Sequence, residues 1–252
     1  MLENLFEWNE VPLPEDCEIK ISPSLAWKFY DNPSQWYKET VLKEPFEFKG
    51  NTSSVLGTVC HKIYECMSNN IEINRDMINE QLDQYQSKFN NPDVDVEEVK
   101  RLYPLVANAV LSGYLKGHIP TKTEIPLSAK ISDGIYLAGT CDNLTGTCVV
   151  DYKNVGTKPN ETAIPPMYKR QLMLYAYMLR HNGTLVDTLR IVYGVRPTKT
   201  LPARCFIVTE AITDQDWIDT QNYLKLVVET VKAVKDYPNL AHVIFKDYNL
   251  KK

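Results

Sequence analysis

In the first half of the chain, apolar residues recur three and four positions apart, which is the spacing of an amphipathic helix. The segment 54–69 shows this pattern along one side through Val55, Val59, Ile63 and Cys66. Acid-rich segments near 76–90 and 95–117 continue it and are separated by Asn91-Pro92. Before them, Ser22-Pro23 offers a helix N-cap with proline at the first helical position. This part of the chain is therefore predicted to be helical.

The pattern changes to alternation near residue 120, which is typical of β-strands. Strands are predicted at Lys122–Ala129, Ile135–Asn143, Thr147–Lys153, Thr188–Val195 and Ala203–Thr209. Helices are predicted at Met167–Arg180 and Thr213–Asp236. Since no Gly/Ser-rich linker divides the chain, we expect one α/β domain around a central mixed sheet. It would have a helical N-terminal part over about 20–118 and a sheet core over about 120–236.

Composition excludes several classes of protein. The 252 residues are 44% hydrophobic and 24% charged, as in an ordinary globular protein that can bury a core without disulfides. No apolar run is long enough to span a membrane, and the acidic start does not look like a signal peptide. We therefore expect a cytoplasmic protein, and its six cysteines are expected to be reduced.

Charge is distributed unevenly along the chain. The net charge is −4, but residues 151–210 hold nine Lys or Arg against four Asp or Glu, which makes that window +5. A basic region on an acidic protein suits a surface that faces phosphates, although scattered solvated charges would look the same in the sequence.

Two acidic residues on neighbouring predicted strands suggest chemistry. Asp151 and Lys153 share one face of their strand because strand side chains alternate, and Asp142 lies on the strand before it. Two carboxylates on adjacent strands repel each other unless a cation lies between them, and oxygen ligands suit Mg²⁺ or Mn²⁺. Two acids and a lysine are the groups that phosphodiester hydrolysis requires.

Two helices add further candidates. Gly57, His61 and Glu65 are spaced four apart and therefore share a helix face. Gln171 and Tyr175 do the same in the helix after the Asp151 strand. Taken alone, the histidine could be structural, and the second pair could belong to the core.

The order of these elements is more specific than any one of them. A series of motifs lies between about residues 20 and 210. It begins with Ser22 and Ser24, an aromatic residue and P-x-x-W-Y, and continues with G-x3-H-x3-E, G-T-x-D, V-V-D-Y-K and Q-L-x-x-Y-A-Y. This series resembles the RecB-like branch of the PD-(D/E)XK nuclease superfamily, which includes phage-type exonucleases. The resemblance implies a restriction-endonuclease-like α/β core and a metal-dependent DNA exonuclease of recombination, repair or replication.

The resemblance also implies roles for particular residues. His61, Asp142, Asp151 and the main-chain carbonyl of Tyr152 would bind Mg²⁺ or Mn²⁺. Lys153 would be the catalytic lysine, acting beside the catalytic carboxylates Asp142 and Asp151. Gln171 and Tyr175 would lie beside the metal and the scissile phosphate. Glu124, on the strand before the hairpin, and Glu65 could be outer ligands, but neither is included in the predicted set.

One branch of this family carries an iron–sulfur cluster on one upstream cysteine and three near the C-terminus. No cysteine follows Cys205 here, so we expect no such cluster. DNA is the expected partner, with no membrane, and the compartment would be the host cytoplasm if a phage encodes the protein. The sequence does not determine the oligomeric state. It also does not determine whether a protein of recombination or replication is a partner.

Three alternatives remain at this point. The same core can cut DNA internally as a structure- or sequence-specific endonuclease, or serve as a non-catalytic DNA-binding subunit. An unrelated α/β protein could also carry this spacing by coincidence. The complete His, Asp, Asp and Lys set argues against a binding subunit, which has no need of two clustered acids near phosphate.

Overall fold

A computed structural model describes residues 5–6, 10–44, 50–159 and 162–245. Its strands are β1 (Ile19–Ile21), β2 (Lys122–Ser132), β3 (Ile135–Thr145), β4 (Cys148–Val155), β5 (Thr188–Val195) and β6 (Arg204–Ala211). Its α-helices are α1 (Lys28–Asp31), α2 (Pro33–Thr40), α3 (Thr52–Ser68), α4 (Arg75–Phe89), α5 (Val96–Val110), α6 (Pro166–His181), α7 (Asp214–Asp236) and α8 (Ala241–Ile244).

All six strands form one mixed sheet in the order β1-β3-β4-β5-β6, with β2 paired to β3. β4 is central and runs parallel to β5, whereas β3 is antiparallel to β2 and β4, and β6 is antiparallel to β5. This helix-flanked mixed sheet confirms the predicted α/β class, and the predicted bounds of the long helices and strands agree with the structure to within a few residues.

The N-terminal part differs from the prediction in one respect. It is not purely helical, because Ile19–Ile21 forms an edge strand parallel to β3. Three residues are too few to show a period of two, so the sequence pattern does not reveal this strand. Its pairing brings Ser22 and Ser24, which follow it directly, to the edge of the sheet.

Two hydrophobic clusters cover the two faces of the sheet. The first contains apolar residues of α6 and α7, and the second contains those of α3, α4 and α5. The side chains of β4 alternate between them, since Val149 belongs to the first cluster and Val150 to the second. Asp151 and Lys153 therefore face α6, and Tyr152 faces α3.

The β3–β4 hairpin turns through two residues, Gly146 and Thr147, because Thr145 pairs with Cys148. Gly146 has φ +61°, a conformation that glycine adopts without strain and that two-residue hairpin turns require. Within the described residues, no helix is long and apolar enough to cross a bilayer.

Candidate active site

Pairing between β3 and β4 stops where the candidate site begins. Main-chain pairing extends from Thr145–Cys148 only to Asn143–Val150. Beyond that pair, the Tyr152 amide donates a hydrogen bond of 2.9 Å to Oδ2 of Asp142 instead of to a main-chain carbonyl. The sequence predicted Asp142 at the end of its strand, but β3 continues to Thr145. The local end of pairing, and not the end of the strand, leaves the Asp142 carboxylate free to act.

Asp151, Lys153 and Gln171 form a compact polar cluster on the face of β4 covered by α6. Asp151 is 2% exposed, and its Oδ1 accepts hydrogen bonds of 3.0 Å from Lys153 Nζ and 3.0 Å from Gln171 Nε2. The ammonium also donates to Gln171 Oε1 at 3.3 Å. The strand alternation and the helix spacing therefore place these three side chains together, as the sequence suggests.

Oδ2 of Asp151 is buried and has no hydrogen-bond partner among the described residues. Lys153 Nζ lies 2.8 Å from it as an ion pair, but it is not aligned for a hydrogen bond. A buried carboxylate oxygen with no hydrogen bond is energetically costly unless another cation satisfies it. This oxygen is the strongest local sign that the site is built for an additional ligand.

His61 reaches the other side of this site from α3. Its Nε2 lies 2.8 Å from the main-chain carbonyl oxygen of Tyr152, and its Nδ1 lies 3.5 Å from Oδ2 of Asp142. The imidazole, one carboxylate and one carbonyl thus meet at the place where β4 separates from β3. His61, Asp142 and Tyr152 are the residues that the sequence had grouped together.

Burial and charge set the protonation of the central pair. Burial raises the pKa of Asp151 to about 6, the Lys153 ammonium opposes this shift, and the Asp142 carboxylate adds to it. Burial disfavours the Lys153 ammonium, but the Asp151 and Asp142 carboxylates outweigh burial and raise the pKa of Lys153. The lysine is therefore a cation at neutral pH, as its proposed chemistry requires.

A third acid lies near the site. Glu124 is in β2 and has φ +45°. It lies between the pairs Thr123–Asn143 and Ile125–Cys141 and is therefore opposite Asp142 in the register of β2 and β3. Burial, together with the charges of Asp142 and Glu65, raises the pKa of Glu124 to about 8. Glu65 itself is paired with Lys62 at 2.7 Å. The positive φ of Glu124 is a feature that no sequence pattern signals.

The donors present fit a hard or borderline divalent cation. In the described part of the chain, no three His, Cys, Asp or Glu side chains alone form a group that could hold a metal. The closest set instead combines side chains with a main-chain oxygen: Asp142, His61 and the Tyr152 carbonyl, next to the unsatisfied Asp151 Oδ2. Carboxylate and carbonyl oxygens with one imidazole suit Mg²⁺ or Mn²⁺ better than soft metals.

Gln171 and Tyr175 play different structural parts. Gln171 contacts both Asp151 and Lys153, whereas Tyr175 is 5% exposed and belongs to the first hydrophobic cluster. Burial, followed by the charges of Asp142 and Asp151, raises the pKa of Tyr175 well above its ordinary value. Its phenol therefore stays protonated and can only donate or accept a hydrogen bond.

Two of the glycines noted in the motifs differ in their surroundings. A Cβ on Gly139 would lie 3.0 Å from Pro23 Cδ and 3.4 Å from Tyr175 Cε1, so this glycine permits the close approach of the N-terminal segment and α6. A Cβ on Gly57 would meet no described atom within 4 Å. Gly57 therefore makes no close contact within the described chain, and substrate approach there stays a prediction.

Gly139→Ala is expected to destabilise the fold by about 1–2 kcal/mol, because Pro23 and Tyr175 must move to admit the methyl group. Gly57→Ala is the matched control, since it adds a methyl group in open space on a helix and is expected to be neutral or slightly stabilising. Urea denaturation of both variants measures the free energy of unfolding. Equal stability of the two variants would contradict the close approach at Gly139.

Several supporting residues were not apparent from the sequence. On the far face of β4, the Tyr152 hydroxyl accepts a 2.8 Å hydrogen bond from the fully buried Asn143, and Tyr64 donates one of 3.1 Å to Asn154. The Tyr168 ring lies 5.1 Å from Lys153 Nζ. A buried asparagine in an otherwise apolar strand is the one sequence signal that could have found part of this network.

Comparison with known proteins shows the family to which the chain belongs. A model of the PD-(D/E)XK nuclease superfamily matches residues 20–241. No curated protein matches the chain.

Solved structures also resemble the fold. A putative exonuclease from Eubacterium rectale is 14% identical with a TM-score of 0.56, and the match covers 88% of this chain and 82% of that one. An alkaline exonuclease from Laribacter hongkongensis is 14% identical with a TM-score of 0.42, over 89% and 93% of the two chains. A phage-related exonuclease from Haemophilus somnus 129PT is 13% identical with a TM-score of 0.36, over 84% and 97%. Only the first of these structures has a TM-score above 0.5, and at 14% identity its similarity is evidence for the fold alone.

Proposed function

Because the chain belongs to the PD-(D/E)XK nuclease superfamily, we propose that it is a Mg²⁺- or Mn²⁺-dependent DNA exonuclease acting in recombination, repair or replication. The observation that carries this proposal is the buried Asp151 carboxylate, with one oxygen held by Lys153 and Gln171 and the other lacking a hydrogen bond. A DNA substrate would place the enzyme in the cytoplasm, or in the host cytoplasm if a phage encodes it.

The cation would be held by Asp142, Asp151, His61 and the Tyr152 carbonyl. When bound, such an ion neutralises phosphate charge and lowers the pKa of a coordinated water. The protein contributes the fixed positions of the ligands. Asp142 is oriented by the Tyr152 amide, and His61 stands on a 17-residue helix whose N-terminus is secured by a capping box at Asn51 and Ser54.

Lys153 supplies a positive charge next to the reacting groups. Its ammonium is two residues from Asp151 on the same strand face, so it can contact the attacking water or a phosphate oxygen while Asp151 binds the metal. Because the lysine is charged at neutral pH, it stabilises the negative charge that builds up on the phosphate in the transition state. Gln171 orients both side chains through its amide, which donates to Asp151 and accepts from Lys153.

The test of this function uses end-labelled linear DNA and circular DNA, each in single-stranded and duplex form, with Mg²⁺, Mn²⁺ or EDTA. We expect linear DNA to be shortened with either metal, circles to be spared, and EDTA to stop the reaction. Cutting of circles would identify an endonuclease instead. Absence of cleavage with both metals, together with retained DNA binding, would identify a non-catalytic DNA-binding subunit.

A further inference from the structure

A concave feature lies along the helix that carries Gln171 of the candidate active site. A cavity of about 490 Å³ opens between α6 and α7, next to α1. Its wall includes Tyr30, Arg170 and Tyr223, and its apolar part includes Met173 and Leu226. Arg170 directly precedes Gln171, and successive helix residues point about 100° apart. The cavity therefore adjoins the Asp151 cluster on the neighbouring face of the same helix without sharing its side chains.

Arg170 is an uncompensated cation at this cavity. Its guanidinium lies 4.6 Å from the centre of the Tyr30 ring and 5.5 Å from that of Tyr223. No carboxylate in the described part of the chain forms an ion pair with it. Lys169, its neighbour, is by contrast neutralised by Glu210 at 3.0 Å and Asp216 at 2.8 Å. Of the two adjacent basic residues, only Arg170 is available to a ligand.

The stack of Arg170 on Tyr30 offers a flat surface to a ligand. The Tyr30 side chain is 49% exposed, which is unusual for an aromatic residue at the edge of a core. Guanidinium groups stack on aromatic faces, and a planar heterocycle can extend such a stack. The volume of the cavity also lies within the range that pockets for small ligands occupy.

The charges on the wall distinguish a base from a phosphate. Two cations, Lys169 and Arg170, and two carboxylates, Asp216 and Asp219, line the cavity, so its wall has no net positive charge to attract an anionic phosphate. A neutral base does not need such a charge, and the side chains of Thr220 and Asn222 can donate and accept hydrogen bonds at its edge. Phosphates would remain outside, towards the Lys153 ammonium.

We propose that this cavity binds an unpaired nucleobase of the strand being cut, stacked on the Arg170–Tyr30 pair. The inference rests on the proposed function, because the strand must pass the Asp151 cluster for its next base to reach the cavity. A base held there cannot be paired. The enzyme therefore engages a single-stranded end, or separates the end of a duplex before it cuts.

The test measures binding in EDTA, where no cleavage occurs, by fluorescence anisotropy of a labelled ten-nucleotide oligo-dT and of an abasic strand of equal length. Arg170→Gln and Tyr30→Leu are each expected to weaken oligo-dT binding about tenfold, the size of effect known for base–aromatic stacking. Neither should change binding of the abasic strand. Arg180→Gln is the matched control, because the Arg180 guanidinium lies 4.3 Å from the centre of the Trp217 ring, away from the cavity, and it should bind as wild type does.

Melting temperatures establish that each variant is folded, and Tyr30→Leu provides an answer if Arg170→Gln is unstable. Unchanged oligo-dT binding in both variants, or equal wild-type affinity for the oligo-dT and abasic strands, would overturn the inference. Cleavage of linear DNA by the same wild-type preparation separates the two proposals. If the wild-type enzyme cuts DNA while the cavity variants bind normally, only the proposed base site is refuted. If the wild-type enzyme does not cut DNA, the proposed function is refuted.

Discussion

Lys153→Ala is expected to lower kcat by about 100-fold or more, which corresponds to roughly 3 kcal/mol of transition-state stabilisation, while DNA and metal still bind. The reason is the position of the ammonium, which contacts Asp151 and Gln171 and, in the proposed mechanism, would contact the reacting phosphate without binding the metal. Single-turnover cleavage at saturating enzyme measures the chemical step, and anisotropy with Ca²⁺ measures DNA binding. Excess Mn²⁺ should not restore the rate.

Loss of the lysine also leaves a buried carboxylate without its cation, which can destabilise the fold. Lys153→Gln keeps a hydrogen-bond donor for Asp151 but removes the charge, so it separates catalysis from folding. Lys225→Ala on the exposed face of α7 is the control for loss of one surface charge. A folded Lys153→Gln or Lys153→Ala variant that cleaves at nearly the wild-type rate would contradict the proposed mechanism. The lysine would then be only a structural ion-pair partner of Asp151.

Asp151→Asn is expected to abolish both metal binding and cleavage, with a fall in kcat of at least about 10³-fold. Asparagine preserves the shape of the side chain but lacks the charge that attracts a cation. Isothermal titration with Mn²⁺ measures binding directly, without relying on activity. In EDTA, DNA binding by this variant should be retained or become tighter, because one negative charge near the phosphates has been removed.

His61→Ala is the informative comparison for that result. Removing one neutral ligand should weaken Mn²⁺ binding while both carboxylates remain, so high Mn²⁺ should restore part of the cleavage. Asn79→Ala changes a polar residue of α4 whose side chain accepts a hydrogen bond from Tyr103 and contacts none of the proposed ligands, and this variant should bind Mn²⁺ normally. Normal Mn²⁺ binding by Asp151→Asn would show that the buried carboxylate serves only its contacts with Lys153 and Gln171, and the metal site would have to be sought elsewhere.

The fold could be predicted from the sequence to the extent that it depends on local periodicity. The long helices and strands follow from the spacing of their own apolar residues, and Asp151, Lys153 and Gln171 meet because a strand and the helix after it fix their faces. β1 could not be predicted, because its three residues acquire their structure from pairing with β3. The positive φ of Glu124 likewise has no counterpart in the sequence pattern.

The site was predictable in its residue types but not in its electrostatics. Lys169 and Arg170 are equivalent in the sequence as a basic pair, yet the structure neutralises one and leaves the other facing a cavity. The difference comes from Glu210 and Asp216, which lie on β6 and α7 and are brought to Lys169 only by folding. Similarly, the need for glycine at position 139 appears only when Pro23 and Tyr175 converge on it.

The bond from the Tyr152 amide to Asp142 has a consequence for how the sheet responds to its ligand. A main-chain carbonyl acceptor is fixed by the backbone, whereas a carboxylate can rotate about its side-chain bonds. This hydrogen bond between β4 and β3 can therefore break without a change in the backbone. If a bound cation turned Asp142, the amide would lose its acceptor and would exchange more readily with solvent deuterium, whereas a cation bound without that rotation would leave exchange slow. The exchange rate of the Tyr152 N–H therefore reports whether Asp142 keeps its position when the site is loaded, without any cleavage having to occur.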